Sequence, residues 1–114
     1  MKYIKIIGLG VFLFIAQYSF GQIKNKKIDT FEVSGNCGMC KKNIETAIFQ
    51  RNVSIGTWSA SKQKVTITYD SLQTNPEKLL QKIANAGYDN EKFTADDQVY
   101  DKLHGCCHYE RRKK

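Results

Sequence analysis

Proline occurs once in this chain, at Pro76, tryptophan once and histidine twice. A lone proline leaves no proline-rich spacer. No low-complexity stretch divides the chain either, so no inter-domain linker is expected. Acidic residues are in deficit, 11 Asp+Glu against 18 Lys+Arg. The basic surplus lacks a stripe of interleaved aromatics, so nucleic acid is not an expected partner. There is no phosphate-cradling glycine loop, no carboxylate pair on a defined scaffold and no Ser-His-Asp set, which removes the usual signatures of hydrolysis. What stands out is four cysteines in two tight pairs, Cys37/Cys40 and Cys106/Cys107.

The first stretch, "MKYIKIIGLGVFLFIAQYSFGQ", has the build of a secretory signal peptide. Lys2 and Lys5 supply the positive start, and residues 6–16 form an uncharged, mostly apolar run. That run is shorter than the roughly 20 residues of an ordinary membrane span. Ser19 and Gly21 are small residues at the positions a signal peptidase reads, which places the cut before Gln22 and the signal peptide at 1–21. The alternative is an uncleaved N-terminal anchor. No cysteine sits at the cut, so a lipoprotein anchor is not expected. Export implies a periplasmic or other extracytoplasmic location and no stable membrane insertion after cleavage. Without Lys2 and Lys5 the chain keeps 16 Lys+Arg against 11 Asp+Glu, a charge of +5. Part of it is the final "ERRKK" (110–114), expected to be a solvated tail.

An oxidising compartment favours disulfides. A stabilising framework gains most by closing long loops, and bridges within each pair would close almost none. Tight pairs suit a reactive or ligating arrangement better.

Hydrophobic periodicity supplies the order of elements. "KIDTFEVSG" (27–35) reads as a strand with Phe31 and Val33 on one face. From Met39, the apolar positions Cys40, Ile44, Ala47 and Ile48 trace one helical stripe. "VSIGTWS" (53–59) and "KVTITYD" (64–70) return to period two and form a hairpin about a polar turn. In the second of them Val65, Ile67 and Tyr69 point inward, and Asp70 outward. "TNPEKLLQKIANAG" (74–87) has Asn75 as cap, Pro76 in the first turn, a stripe of Leu79, Leu80, Ile83 and Ala84, and Gly87 as stop. "YDNEKF" (88–93) reads as a short last strand. The sum is an α+β, βαββαβ sandwich: a four-stranded antiparallel sheet with both helices on one face. Residues 95–114 remain as a tail with a short helix at 95–103 and a Cys/His cluster.

In this order Cys37 lies in the loop after the first strand and Cys40 at the start of the first helix. Unpaired N–H groups and the helix dipole favour thiolate there. Lys41 and Lys42 add positive charge; they also read as an ordinary solvated helix face. Two thiolates are too few for a closed zinc site. They suit Cu(I), with Hg(II), Ag(I) and Zn(II) as alternatives, because soft sulfur selects soft ions.

The succession strand, G-x-C-x-x-C, helix, hairpin, helix, "AGY" (86–88), strand resembles the heavy-metal-associated domain family, which includes copper chaperones and the periplasmic mercury-binding protein. The resemblance covers about residues 27–94. It implies a ferredoxin-like fold, metal binding by Cys37 and Cys40, and a position close to the metal for Tyr88. The family motif usually carries a methionine two residues before the first cysteine. Here Gly35-Asn36-Cys37 is one residue shorter and Met39 stands between the cysteines. Met39 either replaces the family's buried anchor or serves as a thioether ligand.

"LHGCCHYE" (103–110) gathers His104, Cys106, Cys107 and His108. Adjacent cysteines point different ways in regular structure, so one ion is not expected to use both. Three readings stand: a second metal site, a tail that completes the first site, or a structural disulfide with surface histidines. Tyr100 and Leu103 are the candidates for holding the tail down.

The expected function is a binding module, not an enzyme. It would take a soft ion outside the cytoplasmic membrane and hand it to a transporting or efflux protein, with basic residues steering an acidic partner. An open site would also allow a metal-bridged dimer. The alternatives are a thiol–disulfide oxidoreductase using Cys37 and Cys40, and a disulfide-stapled interaction protein. Against the oxidoreductase stand the absence of a tryptophan before the pair and an element order unlike thioredoxin's.

Overall fold

The structure, a computed structural model, describes residues 22–112. The expected signal peptide at 1–21 lies outside the described residues. Among those described, no helix is long and apolar enough to cross a membrane.

Three strands, β1 (Lys26–Glu32), β2 (Ser54–Ser59) and β3 (Lys64–Asp70), form an antiparallel sheet in the order β1-β3-β2. The helices are α1 (Gly38–Ile48), α2 (Pro76–Asn85) and a short α3 (Asp97–Asp101), followed by a 3₁₀ turn at Gly105–Cys107. Register pairs Phe31 with Val65 and Trp58 with Val65. The inward face therefore carries Trp58, Val65, Ile67 and Tyr69, all buried. Cys40, Ile44 and Ile48 of α1 and Leu79, Leu80 and Ile83 of α2 meet them in one core. Each such aliphatic side chain contributes about 2 kcal/mol when removed from water.

The helix signals act as expected. Asn75 Oδ1 accepts from Lys78 N–H at 2.9 Å, Pro76 opens the first turn, and Gly87 ends α2 with φ +111°. An L-residue at that φ would be strained. Edge strand β2 is covered by α1: Glu45 accepts the Trp58 N–H at 2.9 Å and Lys41 donates to the Trp58 carbonyl at 3.2 Å. This occupies backbone groups that would otherwise offer a pairing edge.

Three expectations need correction. The last strand of the four is reduced to a single antiparallel bridge, Val33 to Asn90, with Ser34 N–H bonded to the Asp89 carbonyl and Glu91 N–H to the Glu32 carbonyl. The cause lies in Asn90. Its Oδ1 accepts from Lys92 and Phe93 N–H, turning the chain before a ladder can extend. Asp70 is buried rather than outward; its carboxylate accepts from Leu72 N–H, Gln73 Nε2 and Asn25 Nδ2 and organises the turn after β3. Finally, "ERRKK" is not a solvated tail over its described part. Arg111 donates to the carboxylate of fully buried Asp89 from both Nε and Nη2, at 2.8 and 3.0 Å.

Candidate metal centre

The loop between β1 and α1 is tied down before it reaches the first cysteine. Ser34 N–H bonds the Asp89 carbonyl, Val33 N–H bonds the Gln63 carbonyl, and Gly35 N–H bonds Gln63 Oε1 at 3.1 Å. Gln63 sits in the hairpin turn with φ +53° and reaches the loop through both backbone and side chain. Below the loop lies Trp58, whose Nε1–H donates to the Val33 carbonyl at 2.9 Å. A Cβ at Gly35 would fall 2.8 Å from the indole, so only glycine allows this approach. Met39 is 41% exposed and contributes nothing to the core. The large side chain under the loop is Trp58, from the edge strand.

Cys37 is the N-cap of α1 and Cys40 its third residue. The Cys37 N–H donates to Cys40 Sγ at 3.4 Å, and the Cys40 N–H in turn faces Cys37 Sγ. This is a capping box built from sulfur. It binds two of the helix's unpaired N–H groups to the two thiols.

The tail brings the second pair to the first. Cys37 Sγ lies 3.6 Å from Cys40 Sγ, 3.5 Å from Cys107 Sγ and 2.7 Å from Cys106 Sγ. The sulfurs of Cys37, Cys40 and Cys107 all lie within 4.8 Å of one another. Cys40 and Cys107 are buried, Cys37 is half-buried and Cys106 is exposed. With a metal–sulfur bond of about 2.3 Å, two opposed sulfurs stand roughly 4.6 Å apart and three in a plane roughly 4.0 Å apart. The 3.6 and 3.5 Å separations fall nearer the three-sulfur figure. All four cysteines are free. The adjacent cysteines do point different ways, as expected, yet both reach Cys37.

His104 and His108 do not belong to this cluster. His108 packs on the Tyr100 ring at 5.0 Å between centroids. Lys41 is engaged with Glu45 at 2.5 Å and with Trp58, while Lys42 is exposed. Tyr88 is fully buried; its hydroxyl accepts from Asn43 Nδ2 at 2.9 Å and its ring stacks on Tyr109. It thereby joins α1 to the tail.

The thiols are electrostatically unequal. The side-chain contact with Cys106 holds the Cys37 thiol low, at about 6, helped by the Cys40 N–H. The same contact raises Cys106, and burial pushes Cys107 well up. The cluster is one acidified thiol with three others around it.

What fixes the tail is a polar clasp that sequence reasoning missed. Tyr109 is buried, donates its hydroxyl to the Gly87 carbonyl at 2.7 Å and accepts from Asp89 N–H at 2.8 Å. Its ring stacks on Tyr88 with centroids 5.7 Å apart. Arg111 binds Asp89, donates to the Ala95 carbonyl and lies 4.5 Å over the Tyr100 ring. Asp89 also accepts from Ala95 N–H. Burial alone would raise its carboxyl; Arg111 and the backbone donors outweigh that and hold it below the usual range. Leu103 packs at Gly87, and Asn36 Nδ2 donates to the Cys106 carbonyl at 3.2 Å. The sequence pointed to Tyr100 and Leu103 for this role, and both pack against the core; Asp89, Tyr109 and Arg111 carried no such signal.

An α+β domain with clustered thiols at a helix start has a ligand set that fits a soft metal ion. The heavy-metal-associated domain pattern matches residues 30–89, more than half of the 114-residue chain, and the protein belongs to that family. No curated protein matches the chain. The match ends at Asp89, so the clasp's Tyr109 and Arg111 and the second cysteine pair lie beyond it.

Proposed function

We propose that the protein is an exported carrier of a soft metal ion, with Cu(I) as first choice and Ag(I), Hg(II) or Zn(II) as alternatives. It holds the ion by Cys37, Cys40 and Cys107 and passes it by thiolate exchange to a transport or detoxification partner. It is a binding module, not an enzyme. The carrying observation is the set of three sulfurs within 4.8 Å of one another at a helix N-terminus. Three soft ligands suit Cu(I), whereas a structural zinc site takes four. The third ligand comes from the same chain, so a metal-bridged dimer is not needed to complete the site. We read residues 27–94 as a ferredoxin-like unit whose fourth strand has shrunk to one bridge, and 95–112 as the arm that closes its site.

The test is competition for Cu(I) between the reduced protein and a chromophoric chelator, repeated with Cys37→Ser, together with X-ray absorption at the copper edge. Three sulfur neighbours and a large loss of affinity in the variant are expected. A wild type that competes no better than Cys37→Ser refutes the carrier. Two sulfur neighbours refute the third ligand. Export is tested by the mature N-terminus, expected at Gln22 by mass.

One observation favours a second reading. The acidic Cys37 thiol against Cys106 is the arrangement of a dithiol oxidoreductase. Turnover of a disulfide substrate by the metal-free protein would support it.

A further inference from the structure

Cys106 is left over by the three-thiolate reading, yet its sulfur meets that of Cys37, the half-buried member of the set. The pair Cys106-Cys107 sits in a 3₁₀ turn, where successive side chains are about 120° apart. One side chain therefore turns inward and the next outward: Cys107 is buried and Cys106 is exposed. The turn is held from both sides, by the Asn36 bond to the Cys106 carbonyl and by the Tyr109 hydroxyl. Cys37 is the pivot, meeting Cys106 on the outside and Cys107 and Cys40 at 3.5 and 3.6 Å on the inside; an ion between the outer two would hold their sulfurs roughly 4.6 Å apart, so the exposed Cys106 side chain has to swing outward to admit it.

A soft ion exchanges thiolates by association: the incoming sulfur bonds before the outgoing one leaves. Cys40 and Cys107 are both fully buried, so a thiol from outside has no approach to an ion through them. The accessible sulfurs are those of Cys37 and Cys106.

We propose that Cys106 is the exchange thiol of the site, forming with Cys37 an outer two-sulfur station through which a soft metal ion passes between an external thiol and the buried set. This rests on Cys37, Cys40 and Cys107 being the holding ligands. On loading, the ion arrives bonded to the external thiolate; Cys37 and Cys106 release their thiol protons to solvent as they bond it, and the bond to the external sulfur breaks, that sulfur taking up a proton. Cys40 and Cys107 then release their thiol protons to solvent as they bond the ion, the bond to Cys106 breaks, and Cys106 takes up a proton. The ion keeps its oxidation state and no electrons are transferred. Release runs the same path backwards, with the external thiol bonding the ion at the outer station.

The experiment follows Cu(I) transfer by stopped flow, in both directions, between the reduced full chain and a chromophoric Cu(I) chelator. Wild type, Cys106→Ser and Cys107→Ser are compared, with equilibrium affinities from the same chelator. Cys106→Ser is expected to slow loading and release alike by about tenfold and to leave affinity within about threefold, because a station on the path changes both rates together. Cys107→Ser is expected to lower affinity by at least about tenfold and to speed release. Unchanged rates in Cys106→Ser overturn the proposal. So does an affinity loss equal to that of Cys107→Ser, since Cys106 would then be a permanent ligand. A wild-type chain that takes up no Cu(I) ends the carrier reading itself and is told apart by needing no variant.

Discussion

The two cysteine pairs meet in one place but are held there by different physics. Cys37 and Cys40 ride on α1, whose buried side is Cys40, Ile44 and Ile48 against the sheet and α2. Cys106 and Cys107 ride on a three-residue turn fastened by Asp89, Tyr109 and Arg111. Apolar packing does not titrate; a carboxylate–guanidinium clasp does. One half of the site should therefore be able to let go while the other stays folded.

The strongest way to break this contrast is to damage the half that both depend on. Ile67→Ala, deep in the core, is expected to cost about 3–4 kcal/mol in chemical denaturation and to disorder both pairs together. Next comes Asp89→Asn, which leaves Arg111 without its buried carboxylate, a change of about 3 kcal/mol. Here the expected loss is local. Protease should cut the tail after residue 95, hydrogen exchange should rise at Cys107 and Tyr109, and α1 amides should stay protected. Equal loss of protection in α1 would erase the distinction.

Acid should produce the same separation without mutation. The Asp89 carboxyl is depressed in the folded state, so its stabilisation is complete above the ordinary Asp value of about 3.9 and disappears as pH falls through the lower folded value. Tail amides followed by NMR are expected to lose protection in that window before the core does. The smallest effect is expected from Lys41→Gln. The Lys41 side chain is 45% exposed beside Glu45, and such i,i+4 pairs contribute about 0.5 kcal/mol. A larger change in thermal midpoint would mean that its bond to the Trp58 carbonyl dominates.

The same contrast explains what was readable in the sequence. The stripe Leu79, Leu80, Ile83, Ala84 and the alternation Val65, Ile67, Tyr69 are periodic, because burial on one face imposes a period. Asn75, Pro76 and Gly87 were legible because each has a conformational reason to stand where it does. The C-x-x-C and its place at a helix start were legible for the same reason. The clasp has no period: Asp89 meets Arg111 across 22 residues through geometry that the domain itself creates. The stunted last strand was hidden likewise, since "YDNEKF" alternates acceptably and only the turn made by Asn90 cuts it short. Trp58 looked like one face of a hairpin strand, and its role under the metal loop depends on the absent Cβ of Gly35.

That placement gives the molecule an optical property. Trp58 is the sole tryptophan, and its ring and the Cβ of Cys40 flank the same point at Gly35. The emission of the whole chain in the indole window therefore originates a few ångströms from the sulfurs. A heavy ion seated there should quench it in proportion to occupancy. The protein thus carries its own gauge of loading, readable at native concentration without a label, a chelator or a second protein.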